Sequence, residues 1–247
     1  MHRFYWPEPT LAPGAEVELA ALAHQLTQVL RLGAGADITL FNGDGCNYPA
    51  RLLEAGKRSA RALIVDRQPV ATEAPVRVTL VQSSLKADKF DWVLQKATEL
   101  GVAALRPVVS ERSVVRPVAA LAGKAARWQT ILREAAEQSG RTTLPQLLPP
   151  AQLLHALNEP ASARFFLWES RSRPLPSLGE ATAAACRDGV QAFALLVGPE
   201  GGFAESEAAA AVAAGWQPVT LGPRILRAET AAMAALAVVM ERCGGLQ

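Results

Sequence analysis

From Val76 onward, short β-branched runs alternate with amphipathic stretches, and that alternation leaves few architectures open. Val76–Val81 reads as a strand. In the helix expected next, Phe90, Val93, Leu94, Ala97 and Leu100 recur at helical spacing, with Asp88 as N-cap and Gly101 as stop. Leu105–Val109 is the next strand, and Trp128, Ile131, Leu132 and Ala135 mark one face of a helix ending at Gly140. Further strands are expected at Arg164–Trp168, Ala192–Val197 and Pro218–Leu221, and helices at Glu205–Ala214 and Glu229–Arg242. Strands and helices in alternation predict an α/β domain whose largely parallel sheet is covered on both faces.

The stretch from Arg3 to about Val70 has another texture. Asp37–Phe41, the turn Asn42-Gly43-Asp44-Gly45 and Tyr48–Leu53 read as strand, Gly-bearing turn and strand. Ala62–Val65 adds another strand, and one helix is expected around Glu16–Leu30. A small β-barrel follows from these signals. Asp66–Pro75, with two prolines and little apolar period, is the linker candidate. The expected domains are residues 1–72 and 76–247, which suits a chain of 247 residues.

Composition excludes several classes. Half the residues are hydrophobic and 19% charged, ordinary for a soluble globular protein. The first nine residues lack the basic start and apolar run of a signal peptide, and no segment is long and apolar enough to span a bilayer. Cys46, Cys186 and Cys243 are odd in number and far apart, so a reduced, cytoplasmic protein without a disulfide framework is expected. With His2, His24 and His155 equally scattered, no metal site is expected. Net charge is only +2, but 20 Arg stand against 5 Lys. The planar Arg fork suits phosphates and stacked bases; GC-rich coding, which inflates Arg and Ala together, explains the same bias. Composition permits RNA binding without establishing it.

Chemistry concentrates in two loops. Leu195-Leu196-Val197-Gly198-Pro199-Glu200-Gly201-Gly202-Phe203 runs from a buried strand through three glycines into a helix. Ligands on parallel sheets gather at the carboxyl ends of strands, where glycine lets backbone groups approach closely. The loop has neither the Lys-Ser/Thr of a P-loop nor G-x-G-x-x-G spacing, and Glu200 would repel a polyphosphate. A neutral or cationic ligand fits better, and a tight strand–helix connection without ligand is the plain alternative. Thr220–Arg227 repeats the arrangement with a Gly-Pro turn, Arg224, Arg227, Ile225 and Leu226, whose apolar side chains could wall an adenine. Glu229 opens the last helix, where a carboxylate is also favoured by the helix field alone.

These segments together resemble the RsmE family of ribosomal RNA uridine N3-methyltransferases, in the SPOUT superfamily. The resemblance runs through His2-Arg3-Phe4, His24, Val29-Leu30-Arg31 and the turn from Gly43 to Tyr48. It continues through Lys86, Lys96–Val102, Glu111-Arg112-Ser113, Glu134–Arg141 and the two loops Gly198–Gly202 and Leu221–Thr230. Each motif is weak alone; their order and spacing are specific. The chain departs from the family at Ala204 and Ala228, where the family usually has Ser or Thr and Thr; both read as helix N-caps, so Ala costs about 1 kcal/mol at each.

The resemblance implies a PUA-like RNA-binding β-barrel followed by a SPOUT α/β domain with a trefoil knot, a rare exception to unknotted topology. It implies S-adenosylmethionine as cofactor, held by Leu196, Gly198 and Gly202 on one wall and Leu221, Gly222 and Leu226 on the other. The substrate implied is 16S ribosomal RNA in the assembled small ribosomal subunit, and the assembly a homodimer. Uracil N3 must lose a proton before it can attack a sulfonium methyl, which calls for a base or for a cation that stabilises the anion. Glu200, Arg227 and Glu229 are the candidates, with roles among them open. Arg3, Arg31, Arg112 and Arg141 are candidates to hold RNA. The competing readings are a SPOUT enzyme acting on transfer RNA or a ribose 2′-hydroxyl, and a non-catalytic RNA-binding protein. An oxidoreductase on an ordinary doubly wound sheet lacks its fingerprint glycines.

Overall fold

The computed structural model describes residues 2–8, 11–169 and 174–246. The chain forms two compact units, one holding the stretch up to Glu73 together with Ala136–Leu144, the other holding Ala74–Ala135 and the chain from Pro145 onward.

In the first unit, β1 (His2–Tyr5), β2 (Glu16–Glu18), β3 (Asp37–Phe41), β4 (Cys46–Ala55), β5 (Ala60–Ile64) and β6 (Gln68–Pro69) build one sheet. Its path is β1-β3-β4-β5-β2, with β6 on β4; β1 lies parallel to β3 and the other pairs are antiparallel. Cys46, Tyr48, Ala50 and Leu52 alternate inward along β4, as a half-buried strand requires, and meet Phe4, Leu26, Ile38 and Ile64. The β3–β4 turn needs glycine at Gly43 (φ 101°) and Gly45 (φ 82°). Asp44 closes it, accepting from the Cys46 N–H and the Tyr48 hydroxyl.

The helix expected over Glu16–Leu30 forms only from Ala20 to Val29, and irregularly. Glu16–Glu18 pairs with β5 and buries only Val17, and the chain then continues through a 3₁₀ turn (Ala20–Leu22) and a π turn (Gln25–Val29). The strand partner outweighs local periodicity, and the Thr27 hydroxyl bonds back to the Ala23 carbonyl within the irregular segment. Part of the expected linker is also ordered, since Gln68–Pro69 pairs with β4.

In the second unit, β7 (Arg77–Ser83), β8 (Ala104–Val109), β9 (Gln146–Leu147), β10 (Ala151–Gln152), β11 (Ala163–Leu167), β12 (Ala192–Val197) and β13 (Gln217–Val219) form a parallel sheet in the order β10-β8-β7-β12-β11-β13, with β9 on β8. Its helices are α1 (Ala87–Glu99), α2 (Val118–Ala122), α3 (Ala125–Ser139, whose residues from Ala136 on count with the first unit), α4 (Leu153–Ala156), α5 (Leu178–Arg187), α6 (Glu205–Ala213) and α7 (Ala228–Arg242). One face packs Val78, Leu80, Leu195 and Val197 against Phe90, Trp128, Leu178 and Leu236. The other packs Val81, Ala194 and Leu196 against Leu153, Ala156, Phe203, Ala208 and Trp216. Central strands buried on both sides explain the near-continuous apolar runs.

Local readings shift in three places. The N-cap of α1 is Lys86, with Asp88 inside the first turn. Ala204 does cap α6 without a side-chain acceptor, but Ala228 is the first residue of α7 and Arg227 its N-cap, so the cap cost assigned to Ala228 falls away. Helix α5 has no counterpart among the sequence expectations, although Ser177 and Glu180 form a capping box, with Ser177 Oγ accepting from the Glu180 N–H at 3.2 Å. The three cysteines are free, but two of them, far apart in sequence, meet. Cys186, in the last turn of α5, and Cys243, just beyond α7, bring their sulfurs to 2.6 Å. Burial, with the Cys186 contact, pushes the Cys243 thiol up to about 12. Among the described residues no group of three His, Cys, Asp or Glu is placed to hold a metal, and no helix is long and apolar enough to cross a membrane.

Candidate active site

Strands β11, β12 and β13 end side by side, with Phe166 opposite Leu196 and Leu167 opposite Val219. The loops leaving them therefore converge. Gly198–Phe203, Leu167–Glu169 and Val219–Ala228 line a cleft of about 580 Å³, joined by Lys89 of α1 and Arg112 of the loop after β8. That volume suits a small-molecule ligand.

The glycines shape the cleft in different ways. Gly202 has φ +67° and its N–H closes a turn on the Pro199 carbonyl at 2.9 Å; a Cβ there would enter open space. Gly222 has φ +108°, is equally open, and exchanges hydrogen bonds with the Thr220 hydroxyl at 3.1 Å. At Gly198 a Cβ would meet the Phe203 ring at 3.3 Å, and at Gly201 it would meet Arg112 Cβ at 3.2 Å. Thus Gly198 and Gly201 serve close packing of the loop, while Gly202 and Gly222 leave open space where a side chain would stand. Leu221 and Leu226 line it, with Ile225 fully out at the rim, 72% exposed. Leu196 does not: strand alternation turns its side chain to the opposite face of the sheet, and Val197 takes the place on the wall.

Charge is organised around Lys89, which no sequence motif marks. Its Nζ lies 3.1 Å from Glu229 Oε1, 3.4 Å from Glu229 Oε2 and 3.8 Å from Glu200 Oε1. Partial burial pushes the Glu229 carboxyl up, but its own helix-terminal N–H, Lys89 and Arg227 together outweigh this and hold it below the usual carboxylate range. Arg227 and Arg224 are exposed along the same wall. Of the three expected catalytic residues, Glu200 and Arg227 line the cleft, and Glu229 lies behind it on Lys89, which lines it too.

The four arginines expected to hold RNA part ways. Arg112 lines the cleft and donates from Nη1 to the Gly201 carbonyl at 3.1 Å, its remaining donors exposed. Its loop is tied down by buried Glu207, which accepts from the Glu111 N–H at 2.8 Å and from the Ala204 N–H at 2.9 Å. Arg31 is exposed in the first unit, with φ 57°. Arg3 is engaged there by Asn47 Oδ1 at 2.9 Å and by the carbonyls of Gly140 and Arg141 at 3.1 and 3.0 Å, over the Phe41 ring. Arg141 is 5% exposed and clasps Glu73, with Nη2 to Oε2 at 2.6 Å. Burial raises the Glu73 carboxyl, but Arg141 and the Thr143 contacts hold it below its usual range. A guanidinium so enclosed presents no face to a phosphate, so Arg141 is structural.

Comparison with known proteins agrees with this geometry. Residues 72–240 match the RNA methyltransferase domain family and residues 23–65 the RNA methyltransferase PUA domain family. The ribosomal RNA small subunit methyltransferase E of Synechocystis sp. is 34% identical over 94% of this chain and 75% of its own. That of Bacillus subtilis is 31% identical over 87% and 86%. Among solved structures, ribosomal RNA small subunit methyltransferase E from Neisseria gonorrhoeae bound to S-adenosyl methionine superposes with a TM-score of 0.86, at 40% identity over 98% of this chain and 97% of that one. A putative methyltransferase from Legionella pneumophila, in complex with the same cofactor, gives 0.85 at 32% identity over 97% and 96%.

Proposed function

Because the chain belongs to the ribosomal RNA small subunit methyltransferase E family, we propose that it methylates N3 of a uridine in 16S ribosomal RNA, with S-adenosylmethionine as donor. The observation that carries this reading is the cleft itself, where the space left by the missing side chains of Gly202 and Gly222 stands beside apolar Leu221 and Leu226 and the Glu200 carboxylate. Those features fit the cofactor: apolar walls for adenine, backbone groups for its polar edge, and negative charge for a sulfonium. When bound there, the cofactor supplies an electrophilic methyl group.

The remaining chemistry falls to the chain. Uracil N3–H must be ionised, and Arg227, exposed on the cleft wall, is suited to stabilise the resulting anion. Glu200, held by Lys89 at 3.8 Å through one oxygen, is the freer carboxylate to receive the proton. Glu229 is committed to Lys89 through both oxygens and serves as its counter-ion. Arg112 has donors to spare for a phosphate of the target strand, and exposed Arg31 offers a further contact in the PUA-like unit. A homodimer in the cytoplasm, acting on the assembled small subunit, is the working form in this reading.

The test is direct. Small subunits and naked 16S RNA are incubated with the protein and methyl-labelled S-adenosylmethionine, then digested to nucleosides for mass analysis. N3-methyluridine is expected. A ribose 2′-O-methyl product would give the cleft another SPOUT activity, and no heat of cofactor binding in calorimetry would leave an RNA-binding protein without catalysis.

A further inference from the structure

Lys89 has so far figured only as a partner, yet its charge joins three elements at the cleft, two of which, α1 and α7, also pack on each other. It stands in the first turn of α1, contacts Glu229 in the first turn of α7, and faces Glu200 in the loop after β12. Its side chain is 24% exposed, and those of Glu200 and Glu229 are 26% and 17% exposed, so all three charges are partly withdrawn from water. Two carboxylates within 4 Å of one ammonium attract it strongly and repel each other, and partial desolvation strengthens both effects.

We propose that Lys89 is a positioning residue for methyl transfer: its ammonium keeps Glu229 ionised and draws the Glu200 loop toward α7, which fixes the carboxylate that faces the reacting base. This rests on the methyltransferase reading of the cleft. Both oxygens of Glu229 are taken up by Lys89, whereas Glu200 keeps one oxygen free of it. The ammonium thereby separates two chemically identical groups into an anchor and a working carboxylate. The charges acting on Glu229 are Lys89 from α1 and Arg227 at the start of its own helix; Glu200 shares Lys89 with it, and Arg112, Arg224, Glu169 and Glu205 line the adjoining cleft. The arginines lie on exposed walls and Lys89 alone bonds to both oxygens, so the pair's geometry depends on Lys89.

The experiment compares Lys89→Met, which keeps length without charge, with Lys89→Arg. In ligand-free protein labelled at the glutamate carboxyl carbon, the Glu229 signal, assigned through Glu229→Gln, is titrated by NMR. In Lys89→Met the carboxyl is expected to titrate at higher pH, and in Lys89→Arg near the wild-type position. The acid limb of the pH–rate profile follows the same order, because activity requires the ionised cluster and is lost at higher pH when the carboxyl protonates more easily. Turnover in Lys89→Met falls about 100-fold, as a misplaced group does, while calorimetric affinity for S-adenosylmethionine changes only a few-fold. Unchanged titration of Glu229 in Lys89→Met overturns the proposal. So does a loss confined to cofactor affinity. Should Lys89→Met fail to fold, Lys89→Arg decides: a folded arginine variant whose Glu229 no longer titrates low also overturns it. If the wild-type product proves not to be N3-methyluridine, the function reading fails, and the titration still tests the role of Lys89.

Discussion

Replacing Gly202 with alanine separates the requirements of the fold from those of the ligand. Gly202 sits at φ +67°, where an L side chain costs about 1–2 kcal/mol. Nothing lies within 4 Å of its Cβ position, so no packing loss adds to that strain. For a chain of this size, that lowers the melting temperature by roughly 2–8 °C. The new methyl projects from a cleft-lining residue, where backbone must approach the cofactor. Affinity for S-adenosylmethionine is expected to fall at least tenfold, equivalent to about 1.4 kcal/mol. Gly198→Ala is the control. Its Cβ presses the buried Phe203 ring at 3.3 Å, so its damage should appear in the melt as much as in binding. Calorimetry and thermal melts on both variants make the comparison. Wild-type affinity in Gly202→Ala would refute the placement of the cofactor against this turn.

Single contacts elsewhere carry their own consequences. Oxidation by a disulfide reagent should link Cys186 to Cys243 and remove two hydrogens in intact-mass analysis; closing a loop over a sequence separation of 57 stabilises by about 4 kcal/mol in the chain-entropy picture. Cys186→Ser should show no such rise in melting temperature, and a rise there would disprove the pairing. Glu73→Gln removes one carboxylate from the buried Arg141 guanidinium, a loss of about 2–3 kcal/mol once the exposed edge of Glu73 is allowed for, against 3–5 kcal/mol for a fully buried pair. The Glu73 carboxyl is held low in the fold, so its contribution is present above the ordinary glutamate range and is lost as pH falls through the folded value; wild type and Glu73→Gln should therefore converge in acid melts, and parallel curves would remove the pair as the cause. Arg227→Ala should lower turnover roughly 100- to 1000-fold if it stabilises the uracil anion, with cofactor affinity nearly unchanged. Weak cofactor binding with normal turnover would instead move Arg227 to the methionine carboxylate.

Much of this architecture is legible in residue order because its causes are local. Ala192–Val197 is a run of apolar residues that only a strand buried on both faces explains, and the strand forms with those bounds. Glu205–Ala213 and Ala228–Arg242 begin and end within a residue of their sequence signals. Where a partner decides, the signal fails. Glu16–Glu18 looks helical until β5 is present to pair with it. Cys186 and Cys243 look unrelated until α5 and α7 pack.

The site divides along the same line, and the division explains which residues are legible in sequence. Glu200, Arg227 and Glu229 are visible because each sits in or beside a glycine-bearing loop at a strand's carboxyl end, a place that topology alone makes functional. At Leu196 a loop motif does not say which face the side chain turns to, and the pleat puts the Val197 side chain on the cleft and that of Leu196 on the other face. Lys89 has no motif to mark it. It stands over 100 residues from the carboxylates it binds, and on α1 it reads as one more exposed lysine. Its meaning arises only when β7, the strand before α1, lies beside β12, the strand before Glu200, so that helix and loop leave the same end of the sheet. Parallel neighbours force that juxtaposition. The charge at the centre of this cleft is thus a product of strand order, which residue types and spacing do not encode.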